Sequence, residues 1–119
     1  MKEFMFIFKG PYPEDLGLSA ADAEANMHKW FGWVNELKTK GIYVEGRPLM
    51  REGKIVGGKD QVVTDGPFTE SKELVGGYFI IKAGSMEEAL KLTKGYPDYE
   101  LKGTVEVREV MAMPMPASM

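Results

Sequence analysis

The sequence predicts an α+β domain with an antiparallel sheet, and three observations carry that prediction. Two apolar strand-like runs, Glu3 to Lys9 and Gly76 to Ile81, each lead into a capped amphipathic helix. A further strand-like run follows each helix. A hairpin-like insertion separates the two halves. The order strand, helix, strand, insertion, strand, helix, strand is that of a split-βαβ, ferredoxin-like domain.

Each element has its own reason. In Glu3 to Lys9, Phe4, Phe6 and Phe8 alternate with Met5 and Ile7, so both faces are apolar and the strand reads as internal. Gly10-Pro11-Tyr12-Pro13 ends it. Ser19 with Asp22 three residues on marks a helix start, and Gly41 closes the helix after Lys40. Within it, Ala23, Met27, Trp30, Phe31, Val34 and Leu37 recur at helical spacing. That stripe centres near Trp30 and Val34, which puts Trp30 in the core and Trp33 on the flank, covering the sheet edge or walling a pocket. His28 falls well outside the stripe. Ile42 to Val44 reads as a short strand, followed by Gly46-Arg47-Pro48-Leu49. Arg51-Glu52-Gly53-Lys54 reads as a hairpin turn before Ile55-Val56, and Gln61 to Thr64 as extended chain. Ser85 with Glu88 is a capping box, and Met86, Ala89, Leu90 and Thr93 give the second helix one apolar face. Gly95-Tyr96-Pro97 ends that helix. Thr104 to Val110 alternates as a final strand. Met111 to Met119 carries two prolines and no periodicity, so the expected domain is 1–110 with a tail at 111–119. Both helices cover one sheet face. The apolar Met5 and Ile7 on the other face call for a partner, and a second copy of the chain is the expected one, in a homodimer with the two sheets face to face.

Composition narrows the functional classes. A net charge of −3 and an isoelectric point near 5.2 argue against direct nucleic-acid binding. The chain has no cysteine, which removes thiolate chemistry and disulfides and fits a cytoplasmic location. Phe4 to Phe8 is too short for a signal core or a membrane span. With a single histidine, no metal site is expected. There is no Walker or GxGxxG pattern, and no cofactor is expected.

The densest motif is Asp65-Gly66-Pro67-Phe68-Thr69-Glu70-Ser71-Lys72-Glu73, a polar loop between two strands, where ligand sites tend to sit. Followed by Gly76-Gly77-Tyr78, it resembles the DGPF signature of YCII-related proteins. Gly41 with Gly46 and Leu49, Glu88-Ala89, and Glu106-Val107-Arg108 resemble the same pattern, so the likeness runs from about Lys2 to Val110. The resemblance implies a ferredoxin-like protomer in a dimeric α/β barrel. The family is largely of unknown function. Some relatives are encoded beside, or fused to, extracytoplasmic sigma factors. In the wider YCII group a His–Asp pair lines a cleft, and one relative is a dehydrochlorinase acting on an aromatic breakdown product. Here His28 lies close to the expected histidine. The acid expected before a proline after the second helix is replaced by Tyr96 before Pro97, with Asp98 just beyond.

The candidate site residues follow from their chemistry. Asp65 or Glu70 would offer a carboxylate to a cleft, although Asp65 also reads as a turn device before Gly66-Pro67. His28 is either an exposed helix residue or a cleft-lining acid or base. Trp33 and Phe68 supply rings for a pocket wall. Arg47 and Arg108 suit a ligand carboxylate, or, for Arg108, a neighbouring acid. Lys72 is either part of a solvated cluster with Glu70 and Glu73 or an anchor for an acidic ligand. Three functions remain open: a protein binding a small organic acid or similar ligand in a dimer cleft; a cofactor-independent lyase or isomerase using His28 and Asp65; and an interaction module tied to transcription through a protein partner.

Overall fold

The computed structural model describes residues 1–66 and 71–114. Four strands make the main sheet: β1 (Lys2–Lys9), β2 (Tyr43–Pro48), β5 (Val75–Ala83) and β6 (Thr104–Glu109). They lie in the order β2-β5-β1-β6, all antiparallel, which is the split-βαβ arrangement. The helices are α1 (Ala20–Thr39) and α2 (Met86–Leu92). Strands β3 (Gly53–Gly57) and β4 (Val62–Gly66) pair only with each other as a separate two-stranded ribbon between β2 and β5.

Local chemistry sets the helix starts. The Ser19 hydroxyl accepts a hydrogen bond from the Asp22 N–H at 3.1 Å, and the Ser85 hydroxyl accepts from the Glu88 N–H at 3.2 Å. The Glu88 carboxylate reaches back to the Gly84 N–H at 2.7 Å, so a second free donor of that helix entrance is met. Both helices pack on the face of β1 that carries Phe4, Phe6 and Phe8. These rings, with Trp33, Leu37, Phe79, Ile81, Ala89 and Tyr96, form the core. In α2 the fully packed residue is Ala89, while Met86 and Leu90 remain substantially exposed.

The structure corrects two expectations. The hairpin turn lies at Gly58 to Gln61, not at Arg51 to Lys54, which instead leads into β3. Gly58 and Gln61 take positive φ values of 80° and 55°, the left-handed conformation that closes this turn. The apolar face of α1 is rotated from the expected stripe. Trp33 is the buried tryptophan, at 3% exposure, and Trp30 is only partly buried, while Met27 and Phe31 stand at 58% and 66%. Trp30, Trp33 and Leu37 pack on the core, and Asn26, one turn before Trp30 on the same i, i+4, i+7, i+11 face, meets Asp98 instead. No helix among the described residues is long and apolar enough to cross a membrane.

Candidate functional site

The inner row of α1 places Asn26 and Trp30 opposite the connection between α2 and β6. A short turn at Tyr99–Leu101 opens there from Asp98. One carboxylate oxygen of Asp98, Oδ1, accepts from the Asn26 side-chain amide at 2.6 Å and from the Trp30 indole N–H at 3.2 Å. The Asp98 backbone carbonyl accepts from the N–H groups of Leu101 at 3.0 Å and Gly103 at 2.9 Å. This half-buried residue therefore ties α1 to the connection and also shapes it. Its Oδ2 accepts no hydrogen bond among the described residues.

Aromatic rings surround this point. Tyr96 stacks on Phe8 with centroids 5.4 Å apart, and Trp30 meets Tyr96 edge-on at 5.5 Å. Burial pushes the Tyr96 phenol well above its ordinary range, and the Asp98 charge adds to the effect, so it stays a neutral hydroxyl. Beside it runs a groove of about 420 Å³ lined by Lys29, Trp33, Glu36, Tyr96, Tyr99 and Glu100. The Trp33 indole N–H donates to the Leu92 carbonyl at 3.2 Å. Its ring edge lies where a side chain at Gly95 would be, since a Cβ there would stand 2.3 Å from the indole. One lysine faces two glutamates in this groove, so its charge does not favour an anion. Asp98 itself is not among the lining residues, although its neighbours Pro97 and Tyr99 are; the groove's own chemistry is ring surface with one lysine and two glutamates. Asn26 carries no transferable proton at neutral pH.

The residues singled out from the sequence fall elsewhere, except Trp33, which touches the groove. His28 lies on the solvent side of α1, 76% exposed, with Glu24 one turn away at 3.7 Å. Asp65 sits on the ribbon, paired with Lys54 directly across from it. The close packing of β3 and β4 is with one another, so His28 and Asp65 stand on elements that do not pack closely together. The carboxylate facing α1 is Asp98, and its helix partner is Asn26 rather than His28. Phe68 and Glu70 lie outside the described residues. Lys72 is exposed in the short turn Ser71–Glu73. Among the described residues no group of three or more acids and histidines stands close enough to hold a metal ion.

Arg47 and Arg108 lie on the sheet face opposite the helices. Two rows of directly paired residues cross that face. The first is Arg47, Tyr78, Ile7 and Glu106; the second is Glu45, Ile80, Met5 and Arg108. Four apolar or aromatic residues thus form the centre, and charges of alternating sign occupy the corners. Lys9 donates to Glu106 at 2.7 Å and also lies 3.9 Å from Glu73, and Arg108 stands 4.0 Å from the other Glu106 oxygen, so two cations and two carboxylates meet at that edge. The hydrogen bond from Lys9 holds the Glu106 carboxyl below its ordinary value. The pair's contribution is therefore present above the unfolded carboxylate value and is lost as pH falls through the lowered folded one.

A sequence profile described as the YCII-related domain matches residues 5–114. No curated protein matches the chain. Among solved structures, the chain is similar to 5-chloro-2-hydroxyhydroquinone dehydrochlorinase (TftG) from Burkholderia phenoliruptrix AC1100 in complex with 2,5-dihydroxybenzoquinone. The two share 17% identity, with 91% of this chain and 93% of that chain covered and a TM-score of 0.47.

Proposed function

The chain belongs to the YCII-related domain family, and from that premise we propose that it binds a small organic ligand at Asp98. The observation that carries this reading is the carboxylate held through one oxygen by Asn26 and Trp30 while the other is left without a partner among the described residues. Asp98 lies between the groove-lining residues Pro97 and Tyr99, so a ligand whose ring rests on Trp33, Tyr96 and Tyr99 would have to extend a hydroxyl past the groove's rim to reach Oδ2. Two glutamates against one lysine favour a hydroxylated aromatic over the small organic acid expected from the sequence.

The test is thermal shift of the wild type and Asp98→Asn against hydroxylated aromatics and small carboxylic acids. Asparagine still accepts from Asn26 and Trp30 but turns Oδ2 into a donor. Hydroxylated rings are expected to raise the wild-type midpoint and to lose that effect in Asp98→Asn, while His28→Ala and Asp65→Asn keep it. Ligand at a hundred times its Kd stabilises by about 2.7 kcal/mol, well above the noise of such a measurement. A panel without any shift would sink the reading.

We also propose the DGPF branch of the family, on Asp65-Gly66-Pro67-Phe68, and a homodimer of the dimeric barrel type. The alternating corners support a second copy as the cover of the outer sheet face. A two-fold axis parallel to the strands brings the β2 edge of one sheet over the β6 edge of the other. Arg47 then faces the partner's Glu106, and Glu45 faces the partner's Arg108. Like charges brought together at such a contact cost several kcal/mol. Arg108→Glu is therefore expected to weaken dimerisation at least tenfold by light scattering over a dilution series. The swap Glu45→Arg with Arg108→Glu should restore it. A monomeric wild type would refute the dimer.

A further inference from the structure

The β3–β4 ribbon is poorly covered. Every described position in it except Gly66 is exposed, and Ile55, Val56, Val62 and Val63 stand at 49–62%. An isolated two-stranded ribbon is marginally stable in water. The radius of gyration, 16.6 Å, exceeds the roughly 13.5 Å expected of a compact chain this long, and the longest dimension is 53 Å. At its root the ribbon is anchored. The Leu49 N–H donates to the Gly76 carbonyl at 2.9 Å, the Tyr12 hydroxyl donates to the Leu49 carbonyl at 2.9 Å, and Arg51 pairs with Asp15 at 2.7 Å. A held root below an uncovered apolar arm is the form of a contact element.

The register shows what fits it. Lys54 pairs across with Asp65, and Val56 pairs across with Val63. Cross-strand partners, and residues two apart along a strand, share a face. One face of the ribbon therefore carries a valine pair beside one cation and one anion standing side by side. Such a face is neutral, so it has no attraction for a polyanion or an anionic membrane. It is also its own complement. Stacked on an identical face about an axis along the ribbon, Lys54 meets the partner's Asp65, Asp65 meets the partner's Lys54, and each Val56 meets the partner's Val63. A stack about an axis across the ribbon would instead bring the Lys54–Asp65 end over the Lys59–Asp60 turn, strand for strand, with like charges together.

We propose that the β3–β4 ribbon is an interaction arm that packs, through Lys54, Val56, Val63 and Asp65, on the same ribbon face of a second copy of this chain. The contact is separate from the outer sheet face. It either reinforces a dimer made there or joins chains without it.

The absence of cysteine in the chain makes the test clean. Val56→Cys and Val63→Cys are made as separate full-length proteins, mixed and exposed to a mild oxidant, with His28→Cys as an exposed reference. The mixed pair is expected to form a disulfide dimer at least tenfold faster than either variant mixed with the reference. In parallel, Val63→Lys is expected to weaken self-association at least tenfold in sedimentation velocity, with its circular dichroism unchanged. A mixed disulfide no faster than the reference pairs overturns the proposal, whatever holds the sheet faces. So does a Val63→Lys protein whose association constant stays within twofold of the wild type.

Discussion

Trp33→Ala is expected to destabilise the fold by about 4 kcal/mol, the range for removing a large buried aromatic. The indole is 3% exposed and lies among Phe6, Phe8, Trp30, Phe79 and Tyr96, with ring centroids 5.1–6.2 Å away. It is also the ring against which Gly95 is cut to fit. Its loss opens a cavity shared by β1, β5, α1 and the connection after α2, and leaves the Leu92 carbonyl without its donor. Domains of this size hold only about 5–15 kcal/mol in total, so the variant should lose a large share of its stability. Urea titration followed by the fluorescence of the remaining Trp30 measures it. A loss below about 1.5 kcal/mol would mean that the site repacks and that the ring cluster is not the centre of the core.

Asp98→Ala should cost about 3 kcal/mol, because hydrogen bonds to a charged acceptor contribute roughly 1.5–3 kcal/mol and two donors are left facing an apolar methyl group. Those donors are the Asn26 amide and the Trp30 indole, both partly covered. Asp98→Asn keeps an acceptor at the same place and is expected to cost less than about 1 kcal/mol. The gap between the two variants separates the lock on α1 from any ligand effect, since ligand binding is expected to fail in both. Equal costs for the alanine and asparagine variants would show that the negative charge itself, rather than the acceptor geometry, holds the connection to the helix.

Much of the fold was legible because its signals are local. The alternation around Phe4, Phe6 and Phe8, the caps at Ser19 and Ser85, and the ending at Gly41 all act within a few residues. The rotation of α1 was not legible for a physical reason. Rows through Met27 and Phe31 and through Asn26 and Trp33 lie side by side on the helix, and hydrophobicity alone favours the first. What decides is the acceptor at Asp98, far along the chain, which makes a polar Asn26 welcome on the inner face. The displaced hairpin turn has a similar origin. Arg51-Glu52-Gly53-Lys54 and Gly58-Lys59-Asp60-Gln61 are both polar and glycine-bearing, and the choice between them rests on the pairing of Val56 with Val63. Asp98 is visible beside Pro97 but went unselected, because it stands two residues past the position where the resemblance expects an acid; it gains meaning only once Asn26 and Trp30 are opposite.

The place of β1 in the sheet has a consequence for how the chain is made. The earliest of the sheet strands in chain order lies in the interior, between β5 and β6, so Phe6 pairs with Phe79 on one side and with Val107 on the other. Both neighbours are made well after β1. Until they emerge, the most aromatic segment of the protein has no native edge to pair with and its rings have no sheet to complete. Such non-local pairing carries a large loop-closure cost and makes for slow folding. Phe4 to Phe8 therefore has no native sheet partner until those later segments are available. The sheet can close around β1 only after both β5 and β6 have been made, so until then this strand is a place where the chain can misassemble.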